Sequence, residues 1–533
     1  RNREDQDRSV SAVAAPPDRH RNLVQWTARL VAVLAVSLSL FQLYTAGITA
    51  VTALVQRSIH LGAILSLTFL VKAPYKGARK DKLTIWVLMD WVLVLASVTC
   101  TFYICYNLTD IFERQGDWLK SDLAISIIGT LLVLEACRRV IGLVMTGICL
   151  AAILYAHFGP YMPELIIHKG YSIERIATTL WLTTEGIFGL PIGVAATFVF
   201  VFVLFGAFLE STGGGNFFIE LAYSITGRFS GGPAKTAVVA SGFMGSVSGS
   251  AVGNVVATGS FTIPMMKKAG FRPHIAGGIE PAASISGMFM PPIMGAGGFI
   301  MAELTGVPYS RIMLVAIFPA IMYVFSVFVM VHYEAKKFNI KGEKSEHSAM
   351  EILKTQWYYT MPLVVITILM LYGFSPGYSA IIGIVTCLVI SWFRADTRIT
   401  PKRFIEASRA GTENSLKIGA TVGVIGIIIG VLTYSGLVLT FADIVIELAS
   451  GAVFFGIDFR LVATIFLIAL ASLVLGMGVP VTAAYLITAV VAVPALIHLG
   501  VNEIAAHMIV YWLSQDSNIT PPVCIAAFAG ATI

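Results

Sequence analysis

Two stretches, 230 residues apart, repeat the same order of prolines, glycines and hydroxyl residues inside strongly apolar sequence, and this constrains the fold more than any other feature. The first reads GSVSGSAVGNVVATGSFTIPMMKKAGF from Gly245 and continues as ASISGMFMPPIMGAGG from Ala283. The second reads GMGVPVTAAYLITAVVAVPALIHLGV from Gly476 and continues as SQDSNITPPVCIAAFAG from Ser514. Pro264 falls on Pro494, Gly270 on Gly500, and Pro291-Pro292 on Pro521-Pro522, all at the same offset. Such a repeat marks an architectural unit. Inside a bilayer, backbone that leaves the helix must be buried in protein or line a polar cavity, because lipid satisfies no N–H or carbonyl group. Two matched breaks at depth therefore point to a cavity shared by two related halves.

Composition supplies the bilayer. Hydrophobic residues make up 57% and charged residues 12% of the 533, against roughly 45–50% and 25% in soluble domains, so an all-α polytopic membrane protein is expected. A span needs roughly 17–25 apolar residues. Such runs lie near 24–45, 48–71, 84–106, 191–210, 311–333, 358–373, 376–393 and 416–436. The stretch 121–158 is interrupted by Glu135–Arg139 and is read as two spans turning at Arg138 and Arg139. Pro160 to Gly189 is amphipathic and charged and reads as a surface-lying or extramembrane helix, not a span.

The chain then divides into a disordered cytoplasmic tail (1–22), a four-helix module (23–140) and a connecting span with its amphipathic segment (141–190). Next come a first transport repeat with hairpin one (191–335), a cytoplasmic loop with linking spans (336–415), and a second repeat with hairpin two (416–533). The second copy stops where the first continues into another span, so a C-terminal truncation is expected. The net charge of +6 sits mainly in short loops such as Lys72–Lys82 and reads as topology, not as a nucleic-acid surface. By the positive-inside rule the loop Asn107–Asp122 lies outside and the two repeats are inverted, an arrangement found in secondary transporters.

Glycines 245, 249 and 253 permit a tight turn, and Ser246, Ser248, Ser250 and Asn254 offer oxygens as ligands or caps. Close helix packing through a small-residue row is the alternative. Each proline pair removes helical partners from carbonyls near Gly287, Met290, Ser517 and Thr520, which suits a hard cation such as Na⁺ as well as a simple kink. Glu280, Glu303 and Asp516 are the acidic candidates beside these breaks. The six cysteines form no CxxC pair, GGPAKT lacks the glycine that a phosphate loop needs before Lys235, and HExxH and GxSxG are missing. Neither an enzyme nor a cofactor is expected.

From Thr183 to Ser284, TTEGIFGLPIGVAATFVF…GSVSGSAVGN…GGIEPAAS resembles the fused membrane subunits of tripartite ATP-independent periplasmic (TRAP) transporters, and the likeness extends from about residue 25 to the end. The resemblance implies a multi-pass permease of a bacterial or archaeal inner membrane, working by an elevator motion. It would take a small organic anion from a periplasmic solute-binding protein of the TAXI type and import it with Na⁺. It further implies one sodium site at Ser246, Ser248, Ser250, Gly287, Met290 and Pro292, and a second at Gly476, Gly478, Ser517, Thr520 and Pro522. The anion, a dicarboxylate such as 2-oxoglutarate or glutamate, would lie between the hairpins near Ser250, Asn254, Thr482, Asp516 and Asn518. A stand-alone Na⁺- or H⁺-coupled carrier is the alternative within the class; a membrane scaffold or integral-membrane enzyme is the alternative outside it.

Overall fold

The computed structural model describes residues 25–75, 85–395, 397–451, 453–454, 457–476, 479–515, 518–520 and 524–533. Most of these residues are helical, joined by turns and loops, with one short antiparallel strand pair, Val453–Phe454 with Ile457–Asp458, as expected of an all-α polytopic membrane protein. Seven helices among the described residues are long and apolar enough to cross a membrane.

The first three spans are α1 (Gln25–Gly47), α2 (Ala53–Val71) and α3 (Ile85–Tyr106). Then α4 (Lys120–Val140) runs unbroken through the EACRR sequence, and the chain turns just beyond the arginines, at Ile141 and Gly142, before α5 (Leu143–His157). The interruption is tolerated because its charges are paired. Arg139 reaches Asp90 on α3 at 2.6 Å and Glu135 one turn back at 2.7 Å, and it donates to the Lys72 carbonyl at 3.0 Å. Burial of an ion otherwise costs several kcal/mol.

The segment expected to lie on the surface is partly buried. Its helix α6 (Ile173–Leu182) carries a fully covered Trp181, and Ile187 and Phe188 beyond it are covered too. One face of this amphipathic helix meets protein instead of the interface: Gly129 of α4 lies directly beneath the Trp181 ring.

The two copies of the 230-residue pattern follow. The first opens with α7 (Leu190–Ser211), α8 (Gly214–Thr226), α9 (Gly232–Ser248), α10 (Ala251–Lys268), α11 (Pro273–Ser284) and α12 (Gly295–Thr305). After α13 (Tyr309–Lys337), α14 (Met361–Leu371) and α15 (Pro376–Ser391), the second opens with α16 (Pro401–Ser435). It continues through α17 (Leu437–Ser450), α18 (Arg460–Gly476), α19 (Val481–His498), α20 (Glu503–Gln515) and α21 (Ile525–Ala531). The 230-residue echo holds at the level of elements. Helix α10 maps onto α19 at both ends (251 to 481, 268 to 498), and α11 and α12 start 230 residues before α20 and α21.

Helix α16 begins well before residue 416 and packs against α1, α2, α4, α5 and α7. It is therefore a central element, 72% buried over its most apolar window, whereas α1, α3 and α13 are only 22–28% buried and turn rows of Leu, Phe and Met outward. Lipid covers such faces without energetic cost, because hydrocarbon chains are as apolar as leucine.

Candidate functional site

Helix α9 ends where Gly249 takes a left-handed turn (φ 57°), and Ser250 then caps α10 by accepting the Gly253 N–H at 3.2 Å. The two helices form a hairpin whose tip enters the protein. Backbone packs directly on backbone there. A methyl group at Gly245 would overlap the Cα of Gly287, and one at Gly249 would come within 2.7 Å of the Gly295 Cα. Only glycine permits this approach, which seats the hairpin against the break between α11 and α12.

That break contains a 3₁₀ turn (Ile285–Met288) and the proline pair. Tyrosines from both repeats secure its carbonyls. Tyr309 donates to Pro292 and Ile293 at 2.7 and 2.6 Å, and Tyr511 of α20 bonds the carbonyls of Met288 and Met294. The Met290 carbonyl keeps a long helical bond from the Met294 amide at 3.3 Å, and its counterpart Thr520 keeps one from Cys524 at the same distance. The carbonyls near the proline pairs are thus less free than the sequence suggests, because a tyrosine hydroxyl or a stretched amide bond replaces the lost helical partner. A carbonyl has a second lone pair, so such bonds leave room for a cation.

The structure separates the sequence candidates into two groups. Ser248, Ser250, Thr482 and Asn518 line a cavity of about 580 Å³ between the hairpin-one tip, the start of α19, α7 and α16. This size suits a small-molecule site. Ser246 is buried beneath the tip, in the turn that meets Gly287, and donates to the Phe243 carbonyl at 2.7 Å. Asn254 is fully buried and does not line the cavity, contrary to its expected contact with the anion. Its amide donates to the carbonyls of Ser241 and Ser284 at 2.8 and 3.3 Å, which pins it between α9 and α11. Its Oδ1 has no hydrogen-bond partner among the described residues. A buried acceptor without a donor costs about 1–3 kcal/mol, and a cation would satisfy it.

Just below, Glu280 is completely covered and surrounded by the hydroxyls of Ser241, Thr258, Thr262 and Ser284. It joins α9, α10 and α11 through one carboxylate. Glu303 lies elsewhere, near Arg57 of α2. Gly476 closes α18 and is buried. Gly478, Asp516, Ser517 and Pro522 lie outside the described residues. Lys235 of the GGPAKT sequence packs over the rings of Phe229 and Phe328 and meets His332 at 2.9 Å, a structural role.

Lys72 and Lys417 also line the cavity. The sequence reading placed the first in a cytoplasmic loop and the second at the start of a span. The signal for Lys417 was the spacing of Asn414, Lys417 and Thr421, three and four residues apart, which puts three polar groups on one face of an apolar helix.

Residues 128–533 match the family described as tripartite ATP-independent periplasmic transporter, DctM component. The chain belongs to this family. It is a multi-pass inner-membrane permease and not an enzyme. It is similar to a putative TRAP transporter large permease protein of Haemophilus influenzae, 24% identical over 60% of this chain and 74% of that one. It is also similar to the C4-dicarboxylate TRAP transporter large permease protein DctM of Pseudomonas aeruginosa, 25% identical over 69% of this chain and 83% of the other. The isethionate TRAP transporter permease protein DctMQ of Oleidesulfovibrio alaskensis matches 81% of this chain and 69% of its own length at 21% identity.

Proposed function

We propose that this chain is the fused membrane component of a TRAP transporter that imports a small organic anion with Na⁺, the anion being delivered by a periplasmic solute-binding protein. The observation that carries this reading is the convergence of two helix N-termini, those of α10 and α19, on one cavity. Helix N-termini attract anions through unpaired N–H groups and the helix dipole. Ser250, Thr482 and Asn518 add polar side chains there. The names of the relatives favour a dicarboxylate or a similar acid, and 2-oxoglutarate and glutamate fit that class. The match to an isethionate permease over most of the chain supports fusion of a small module, residues 23–140, to the transport repeats. The sequence resemblance supports a binding protein of the TAXI type and an elevator motion.

Sodium would sit beneath the hairpin-one tip, drawing on Asn254 Oδ1, the Ser246 hydroxyl and the carbonyls of Gly287 and Met290. By position, the second site would draw on Gly476, Gly478, Ser517, Thr520 and Pro522. The cavity includes Lys72 and Val140, at the end of the small module that the loop charges make cytoplasmic, so this conformation is read as inward-open. Proton coupling is the second reading, favoured by the covered carboxyl of Glu280.

Sodium binding is testable without a substrate. A ligand that binds only the folded protein stabilises it by about 2.7 kcal/mol at 100 times its Kd. Sodium should therefore raise the thermal unfolding temperature of the purified protein where potassium does not. Ser246→Ala should move the sodium titration midpoint up about tenfold, the loss of roughly one 1.4 kcal/mol interaction, while the sodium-free stability falls by no more than the single hydrogen bond to Phe243, about 0.5–1.5 kcal/mol. Equal stabilisation by sodium and potassium would overturn the assignment.

A further inference from the structure

Far from the cavity, the sequence GGPAKT opens α9 beside the last turns of α13, at the ends of both helices that the loop charges make cytoplasmic. Phe328, His332 and Lys336 are spaced four residues apart and form one stripe along α13. Lys235 stands against this stripe. Its ammonium meets His332 at 2.9 Å and lies 5.0 Å from the centre of the Phe328 ring and 5.6 Å from that of Phe229, which Arg228 also approaches, at 5.0 Å. Lys235 is 3% exposed, whereas Arg228, Phe229 and Lys336 face outward.

The packing that fixes Lys235 does not neutralise it. Among the described residues, no carboxylate forms an ion pair with Arg228, Lys235 or Lys336. The charge that acts on Lys235 is that of Lys336, and those that act on His332 are Lys235 and Lys336, all of one sign. The acids nearest in sequence are turned elsewhere. Glu334 is two residues from both His332 and Lys336, so it does not share their face. Glu343 is tied to the Gly227 carbonyl through its backbone amide at 2.9 Å, and its carboxylate acts on Tyr223 of α8. Along the same helix, α13 turns Ile321, Phe325 and Met330 outward, where lipid chains cover them. Basic pockets between spanning helices on the cytoplasmic side suit anionic lipid headgroups, and a phosphate accepts hydrogen bonds from ammonium and guanidinium groups alike.

We propose that the groove between the start of α9 and the end of α13 binds an anionic phospholipid of the cytoplasmic leaflet, its phosphate held by Arg228, Lys235 and Lys336 and an acyl chain lying along the outward apolar face of α13. The basic groups and the exposed apolar side chains follow one another along one helix, which fits a lipid better than a free phosphate. Bound there, the lipid ties the base of hairpin one to α13. The site does not depend on what the permease carries or on which ion drives it.

The test uses the purified full chain in detergent, titrated with dioleoyl phosphatidylglycerol, dioleoyl phosphatidylcholine or glycerol 3-phosphate and read by native mass spectrometry. A basic group beside an anionic lipid surface is worth about fivefold in affinity. Phosphatidylglycerol should therefore bind at least tenfold more tightly than phosphatidylcholine, and Arg228→Gln combined with Lys336→Gln should remove most of that preference. Both replaced side chains are exposed, so the fold should survive, with an unfolding temperature in the absence of added lipid close to that of the wild type. Arg228→Lys combined with Lys336→Arg, which keeps both charges, should keep the preference. So should Lys354→Gln combined with Lys402→Gln, which removes two exposed charges elsewhere on the cytoplasmic side. Equal binding of the two lipids, an unchanged preference in the Arg228 and Lys336 pair, or an equal loss in the Lys354 and Lys402 pair would each overturn the proposal. Glycerol 3-phosphate displacing phosphatidylglycerol at matching concentration would overturn it too, by making this a site for a soluble phosphate.

Discussion

Replacing Arg139 by alanine is expected to destabilise the protein by about 3–5 kcal/mol, the cost of breaking a buried ion pair by removing one partner. The side chain is 2% exposed and Asp90 1%, so neither charge can turn to water. One guanidinium joins three helices. It meets Asp90 of α3 and Glu135 of α4, donates to the Lys72 carbonyl at the end of α2, and lies 5.0 Å from the Phe69 ring. Arg139→Lys should recover only part of the loss, because an ammonium lacks the planar fork that reaches two carboxylates and a carbonyl together. Thermal unfolding of the purified variants checks this. An unfolding temperature within a degree or so of the wild type for Arg139→Ala would mean that the network contributes nothing to stability.

The second large effect is expected at Gly245. An added methyl group would overlap the backbone of Gly287 and approach the Asn254 amide to 3.3 Å. Backbone on both sides cannot yield as a side chain can, so Gly245→Ala should cost about 1–3 kcal/mol by overpacking. The effect on ion binding should be larger. Metal–ligand distances tolerate only about 0.2 Å, and the hairpin must move away from the 3₁₀ turn by more than that. We expect the apparent sodium affinity to fall at least tenfold. Gly242→Ala is the internal control: it lies in the same helix, and its methyl group would meet nothing within 4 Å. Equal sodium titrations for the two variants would show that the close approach of Gly245 and Gly287 plays no part in the ion site.

Much of this architecture was legible because bilayers impose strict rules on sequence. Apolar run length placed most spans to within a few residues, and the repeat of Pro264 at Pro494 located two helices whose ends coincide at the same offset. Three features escaped for physical reasons. The span at α16 was set at residue 416 because Lys402, Arg403, Glu406 and Arg409 read as loop charge; a central helix can carry them where it leaves the apolar layer. Pro160–Gly189 was read as surface-lying or extramembrane because amphipathicity reports that one face is apolar, not whether lipid or protein covers it. Asn254 was placed beside the anion, between the two hairpins, on the strength of the family resemblance. Its spacing instead turns it inward, onto the carbonyls of Ser241 and Ser284, and leaves its oxygen beneath the tip. The hydroxyl contacts of Tyr309 and Tyr511 joined residues 16 to 223 positions apart, beyond what local patterning reports.

Sodium-coupled anion import is tested most directly by uptake into proteoliposomes holding this chain, supplied with its solute-binding protein and a labelled anion under an imposed inward sodium gradient. The account predicts accumulation above the external concentration that collapses when potassium or choline replaces sodium and persists when the proton gradient is dissipated. Accumulation that follows the proton gradient, or that persists without sodium, would contradict it.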